Sequence, residues 1–158
     1  MGGAAGASAT NTSSKDQGHE LVAAYSFSTG TRVSGILERL TYDTDDSVTG
    51  NVDHYTRDAW YLLVQQRLGA HQVFGSFGTA GAGSVKVVGG GRATTNGLGA
   101  SQWSLGYSYS LSKSADLYAA CYGMDNKRSA AYALFPPPGK VAPGASTTGF
   151  GLGMLYTF

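Results

Sequence analysis

The chain has 158 residues, a formal net charge of +1 and 13% charged residues, against roughly a quarter in soluble domains. Charge this sparse and balanced offers no clustered basic face for nucleic acid. Aromatic residues reach 11% and glycine 24 positions, about twice its usual share, yet no run of 18 apolar residues occurs, which excludes a membrane-spanning helix.

Residues 1–18 are small and polar (MGGAAGASATNTSSKDQG). They lack the basic and apolar regions of a secretion signal, and we expect a polar flexible segment or the remnant of a loop. Turn chemistry then cuts residues 19–158 into extended segments near 19–28, 32–42, 54–67, 71–79, 102–111, 116–124 and 149–158. Two of the early segments carry adjacent charges, Glu38-Arg39 and Arg57-Asp58. Successive side chains of a strand point to opposite faces, so one of each pair must point to each side. The acidic run Asp43, Asp45, Asp46 and Asp53 lies between them, without the glycine and distal glutamate of a calcium loop, and reads as a solvated loop. His19, His54 and His71 have no metal-ligand spacing.

The stretch 80–101 contains Gly89-Gly90-Gly91-Arg92 and Gly97-Leu98-Gly99. No Gly-Lys-Ser/Thr completes a phosphate loop, so a flexible loop is expected. In 102–111, Trp103, Leu105, Tyr107, Tyr109 and Leu111 alternate with Gln102, Ser104, Gly106, Ser108 and Ser110. A soluble sandwich would pack the apolar set on a second sheet, whereas a transmembrane barrel would turn it to lipid and line a wet lumen with the polar set. Cys121, the only cysteine, has no flanking base to lower its pKa and reads as a small buried or lipid-facing apolar residue. The chain closes on FGLGMLYTF, where Phe150, Leu152, Met154, Tyr156 and Phe158 share one parity.

Connections alternate short and long. Those near 28–31, 68–70 and 112–115 are tight, and those at 43–53, 80–101 and 125–148 are long. Outer-membrane barrels alternate short periplasmic turns with longer outer loops, which selects an all-β, antiparallel transmembrane β-barrel over a sandwich. With the tight turns periplasmic, the first and last strands both descend. An odd count of seven leaves edges that lipid does not tolerate, so partner strands are expected, and the chain reads as a mature fragment or truncated product of a larger barrel. The alternative is a small eight-stranded barrel with a structural or adhesive role, its eighth strand drawn from residues 1–18.

Four stretches suggest a family. Residues 110–119 (SLSKSADLYA), 125–132 (DNKRSAAY), 141–145 (VAPGA) and 148–153 (TGFGLG) resemble the C-terminal end of Gram-negative general porins of the beta-proteobacterial type. The resemblance is strongest over 101–158 and looser over 19–79. It implies the last seven or so strands of a sixteen-stranded pore, usually trimeric, in the outer membrane. It also implies that Gly153, Tyr156 and Phe158 form the signal read by the barrel assembly machinery, while the inward constriction loop of such porins lies in strands beyond this chain.

The function expected is passive diffusion of small hydrophilic solutes and ions. Pore-lining candidates are Glu38, Arg57, Gln65 and Gln102, with Arg39 near the rim, where a lipid-facing arginine costs least. An aromatic belt is assigned to Trp103, Tyr107, Tyr109 and Phe150, facing outer-membrane lipid and lipopolysaccharide. No serine, histidine and acid arrangement can be singled out among so many serines, so no enzyme activity, cofactor or metal is expected.

Overall fold

A computed structural model describes residues 13–91, 93–133 and 140–157. Eight strands run as β1 (Ser14–Ser26), β2 (Thr31–Thr44), β3 (Val52–Leu68), β4 (His71–Ala80), β5 (Ser84–Val87), β6 (Ala100–Ser110), β7 (Ala115–Asn126) and β8 (Ser146–Tyr156). All pair antiparallel in one sheet of order β1-β2-β3-β4-β6-β7-β8, with β5 paired to β3 alone. The seven long strands are those expected from turn chemistry. The tight turns use glycine in the left-handed region, Gly30 at φ 82° and Gly69 at φ 62°, where a Cβ would be strained.

Two features depart from the sequence reading. β1 begins at Ser14 rather than His19, because β2 continues to Thr44 and its outer peptide groups pair with residues 14–18. Residues 1–12 lie outside the described residues. The loop expected over 80–101 contains β5, which pairs with β3 from Val52 to Thr56, beyond the end of β4. Backbone groups there need partners; residues 14–18 carry no apolar pattern to announce the pairing, and in 84–87 Val85 and Val87 alternate over only four residues. Among the described residues the eighth strand, β5, is four residues on β3, β1 and β8 each keep one unpaired edge, and the sheet is an open part of a barrel. The eighth strand of the small-barrel alternative, drawn from residues 1–18, falls mostly outside the described residues.

Register sorts the side chains. The row Phe150, Cys121, Leu105, Gly75, Val64, Val33 and Tyr25 crosses the sheet on one face. Every exposed large apolar side chain of the long strands shares that outer face except Val22, Tyr118 and Leu155. Phe150 is 80% exposed and Leu152 74%. Only Val87, Ala100 and Ala130 are buried apolar residues among those described, and no large side chain is fully buried. A soluble sandwich would cover such a face with a second sheet; here the described residues fully bury no large apolar side chain, and their apolar surface faces outward.

Local packing comes instead from aromatic rings laid over cross-strand glycines. Tyr61 faces Gly78, Phe74 faces Gly106, Tyr118 faces Gly153 and Tyr122 faces Gly149 on the inner face, and Trp103 faces Gly123 on the outer. A Cβ on any of these glycines would meet the facing ring within 3 Å. The ring shields a glycine that would otherwise weaken the strand, a recognised way of pinning register. Gly153, expected in the assembly signal, therefore has a packing role under Tyr118.

Candidate functional site

The inner face is hollowed around a cavity of about 450 Å³. One register row explains the space: Glu20, Glu38, Ala59, Ala80, Ala100 and Asn126 are aligned across β1, β2, β3, β4, β6 and β7. Three alanines in the middle of that row leave room for longer neighbours. Gln102 stands one position toward the short turns, in line with Gly78 and Tyr61, and Arg57 one position toward the long loops, opposite Leu40.

The adjacent charges resolve as the parity argument requires. Arg39 and Asp58 are register partners on the outer face, with Arg39 Nε donating to Asp58 Oδ1 at 2.7 Å and Nη2 to Oδ2 at 2.8 Å. The pair sits one position past Leu37 and Trp60, where the outer face turns polar: His19, Thr41 and Thr56 follow on the same side. Glu38 and Arg57 take the inner face, diagonal to each other, with Arg57 Nη2 3.8 Å from Glu38 Oε1. Arg57 Nη1 donates to the Tyr132 hydroxyl, and its guanidinium carbon lies 5.3 Å from the Tyr132 ring centre, a cation–π contact.

Glu38, Arg57 and Gln102 all line the cavity. Gln65 shares their face but stands opposite Arg32, eight residues from Arg57 along β3 toward the short turns, and is not part of the cavity wall. Sequence reasoning missed Glu20, which has the parity of Val22 and Ala24 and could have been found by counting. It also missed Tyr132, which lies outside any strand and gives no periodic signal.

The aromatic candidates Trp103, Tyr107, Tyr109 and Phe150 are on the outer face. Trp103 stands beside Phe77, whose ring centre is 5.7 Å from that of Trp60, toward the long loops. Tyr107 and Tyr109 lie toward the short turns against His71, whose ring centre is 6.0 Å and 5.0 Å from theirs. Phe150 lies in the intervening row with Leu105. Tyr156, opposite Ala115, shares the outer face; Phe158 lies outside the described residues. Cys121 is exposed on the same face beside Phe150.

Outside the spanning strands, the acidic run is engaged locally. Ser13 donates to Asp45 through its amide at 2.8 Å and its hydroxyl at 2.6 Å, and the hydroxyl bond holds the Asp45 carboxyl below its ordinary range. Asp46 accepts from the Asn51 amide at 2.6 Å.

An outward apolar band around a polar hollow, with short turns on one rim and long loops on the other, is the arrangement of an outer-membrane barrel wall. Residues 1–130 match the Gram-negative porin family. The chain belongs to that family. The match covers β1 to β7 and ends before β8, whereas the likeness seen in the sequence is strongest over 101–158. Among curated proteins no match is found. Membership places this porin at the outer membrane and points to a channel rather than an enzyme.

Proposed function

We propose that this porin chain forms part of the wall of a water-filled pore through which small hydrophilic solutes and ions diffuse passively, the complete barrel having sixteen strands and assembling as a trimer. The observation that carries the reading is the division of the sheet into an outer face that is apolar and exposed and an inner face that bears Glu38, Arg57 and Gln102 around a cavity. Lipid lowers the cost of the first; a hydrated lumen lowers the cost of the second. Lipopolysaccharide and the barrel assembly machinery are the corresponding partners.

The open edges say what else is needed. β1 and β8 both run from the long-loop rim to the short-turn rim, since seven long strands separate the two edges. Antiparallel closure then requires an odd number of further strands. Two copies of this sheet in the same orientation would bring β1 against β8 in parallel, so complementary porin strands fit the edges better than a second copy.

Planar-bilayer recording tests the reading. The full chain alone is expected to give no stable steps. Adding the N-terminal strands of a Gram-negative porin, about nine of them, is expected to give ohmic channels. If the chain alone shows the heat-shifted gel migration of a closed barrel and gains no conductance with those strands, the pore reading fails.

A further inference from the structure

The connection from β7 to β8 is not a free loop where it meets the sheet. Asn126, 9% exposed, donates from its side-chain amide to the carbonyls of Tyr132 and Ala145, both at 2.9 Å, and its Oδ1 accepts the Tyr132 N–H at 2.9 Å. Ser129 N–H donates to the Gly97 carbonyl at 2.9 Å, and Gly144 N–H to the Ala130 carbonyl at 2.9 Å. Ala130, 2% exposed, is packed between these strands of chain. The base of the connection is therefore fixed, and it carries Tyr132 past β6 and β4 to Arg57 on β3.

The site it covers is unevenly charged. Glu20 and Glu38 are direct cross-strand partners, an arrangement of like charges that opposes pairing. Arg57 lies 3.8 Å from Glu38 alone of the two, and its Nε has no hydrogen-bond partner among the described residues. Two carboxylates and one guanidinium leave a formal charge of about −1 in a cleft with low-dielectric walls, where field lines are focused. A cation passing Glu20 and Glu38 relieves their repulsion; an anion finds Arg57 shielded by Tyr132.

We propose that Tyr132, laid on Arg57, narrows the lumen along this part of the wall, and that Glu20, Glu38 and Arg57 beside it select solutes by charge, favouring cations. The proposal rests on the pore reading above and locates its selectivity in the β7–β8 connection and the first three strands.

The test is single-channel conductance and reversal potential in a potassium chloride gradient, on the pore assembled from the full chain and complementary porin strands, with heat-shifted migration checking assembly of each variant. Wild type is expected to prefer cations. The double variant Glu20→Gln, Glu38→Gln should move the reversal potential to the anion-preferring sign, and Arg57→Gln should move it further toward cations. Tyr132→Ala should raise conductance, and Lys113→Gln, in the turn at the opposite rim, should change neither quantity. Wild-type channels with the double variant unchanged in sign, or with Tyr132→Ala unchanged in conductance, overturn this proposal and leave the pore standing. No wild-type channel at all overturns the pore and the proposal together.

Discussion

Leu105 and Ser104 are neighbours on β6 and differ only in the face they occupy. Leu105 is 54% exposed in the centre of the outer apolar face, between Gly75 and Cys121. Ser104 points inward and shares a 2.6 Å hydrogen bond with Ser76. If lipid covers the outer face, Leu105→Arg places a guanidinium near the bilayer midplane at a cost of about 2–4 kcal/mol. That is a loss of roughly 30- to 700-fold in the folding equilibrium, at about 1.4 kcal/mol per factor of ten. Ser104→Arg instead loses one hydroxyl bond, about 0.5–1.5 kcal/mol, and places its charge in the wet lumen. Urea unfolding of the assembled barrel in lipid vesicles, followed by gel migration, measures both. A Leu105→Arg cost no larger than that of Ser104→Arg would refute the assignment of faces, because an outer surface in contact with water would accept the arginine freely.

The glycines under aromatic rings give a second contrast: Gly106→Ala, whose Cβ would run into the Phe74 ring, should destabilise the barrel by about 1–3 kcal/mol in the same unfolding assay, while Gly151→Ala, with nothing within 4 Å, should be near neutral. A third concerns pH. The carboxyl of Asp45 is held below its ordinary 3.8 by Ser13, so the clasp at the loop end of β1 and β2 contributes fully above that value and is lost as pH falls through the lower folded value. Hydrogen exchange at residues 13–16 should therefore quicken relative to the sheet centre below about pH 3.8, and Asp45→Asn should abolish that dependence.

Much of the wall was legible because its physics is local. The alternation of Trp103, Leu105, Tyr107 and Tyr109 with Gln102, Ser104, Gly106 and Ser108 follows from the two-residue period of a strand, and the same period assigns Glu38 and Arg57 to one face and Arg39 and Asp58 to the other. Turn residues such as Gly30 and Gly69 marked where the chain reverses. What alternation could not supply was distance between strands. The pairing of Arg39 with Asp58, the ring of Phe74 over Gly106 and the alanine row that opens the cavity all depend on register, which is set when strands meet.

The least legible parts are those where backbone rather than side chains makes the contact. Residues 14–18 and 84–87 join the sheet because the outer ends of β2 and β3 need partners for their peptide groups; the side chains of 14–18 do not advertise it, and those of 84–87 offer only Val85 and Val87. Tyr132 is the extreme case. It lies 75 residues from Arg57 in the chain, in a connection without periodicity, and only the fixed base around Asn126 decides that it lies over the cavity. The sequence by itself determined which residues face outward and which inward, because each strand carries its own period; the tertiary structure alone decided which inward residues meet, because that depends on register and on how a loop is pinned across three strands.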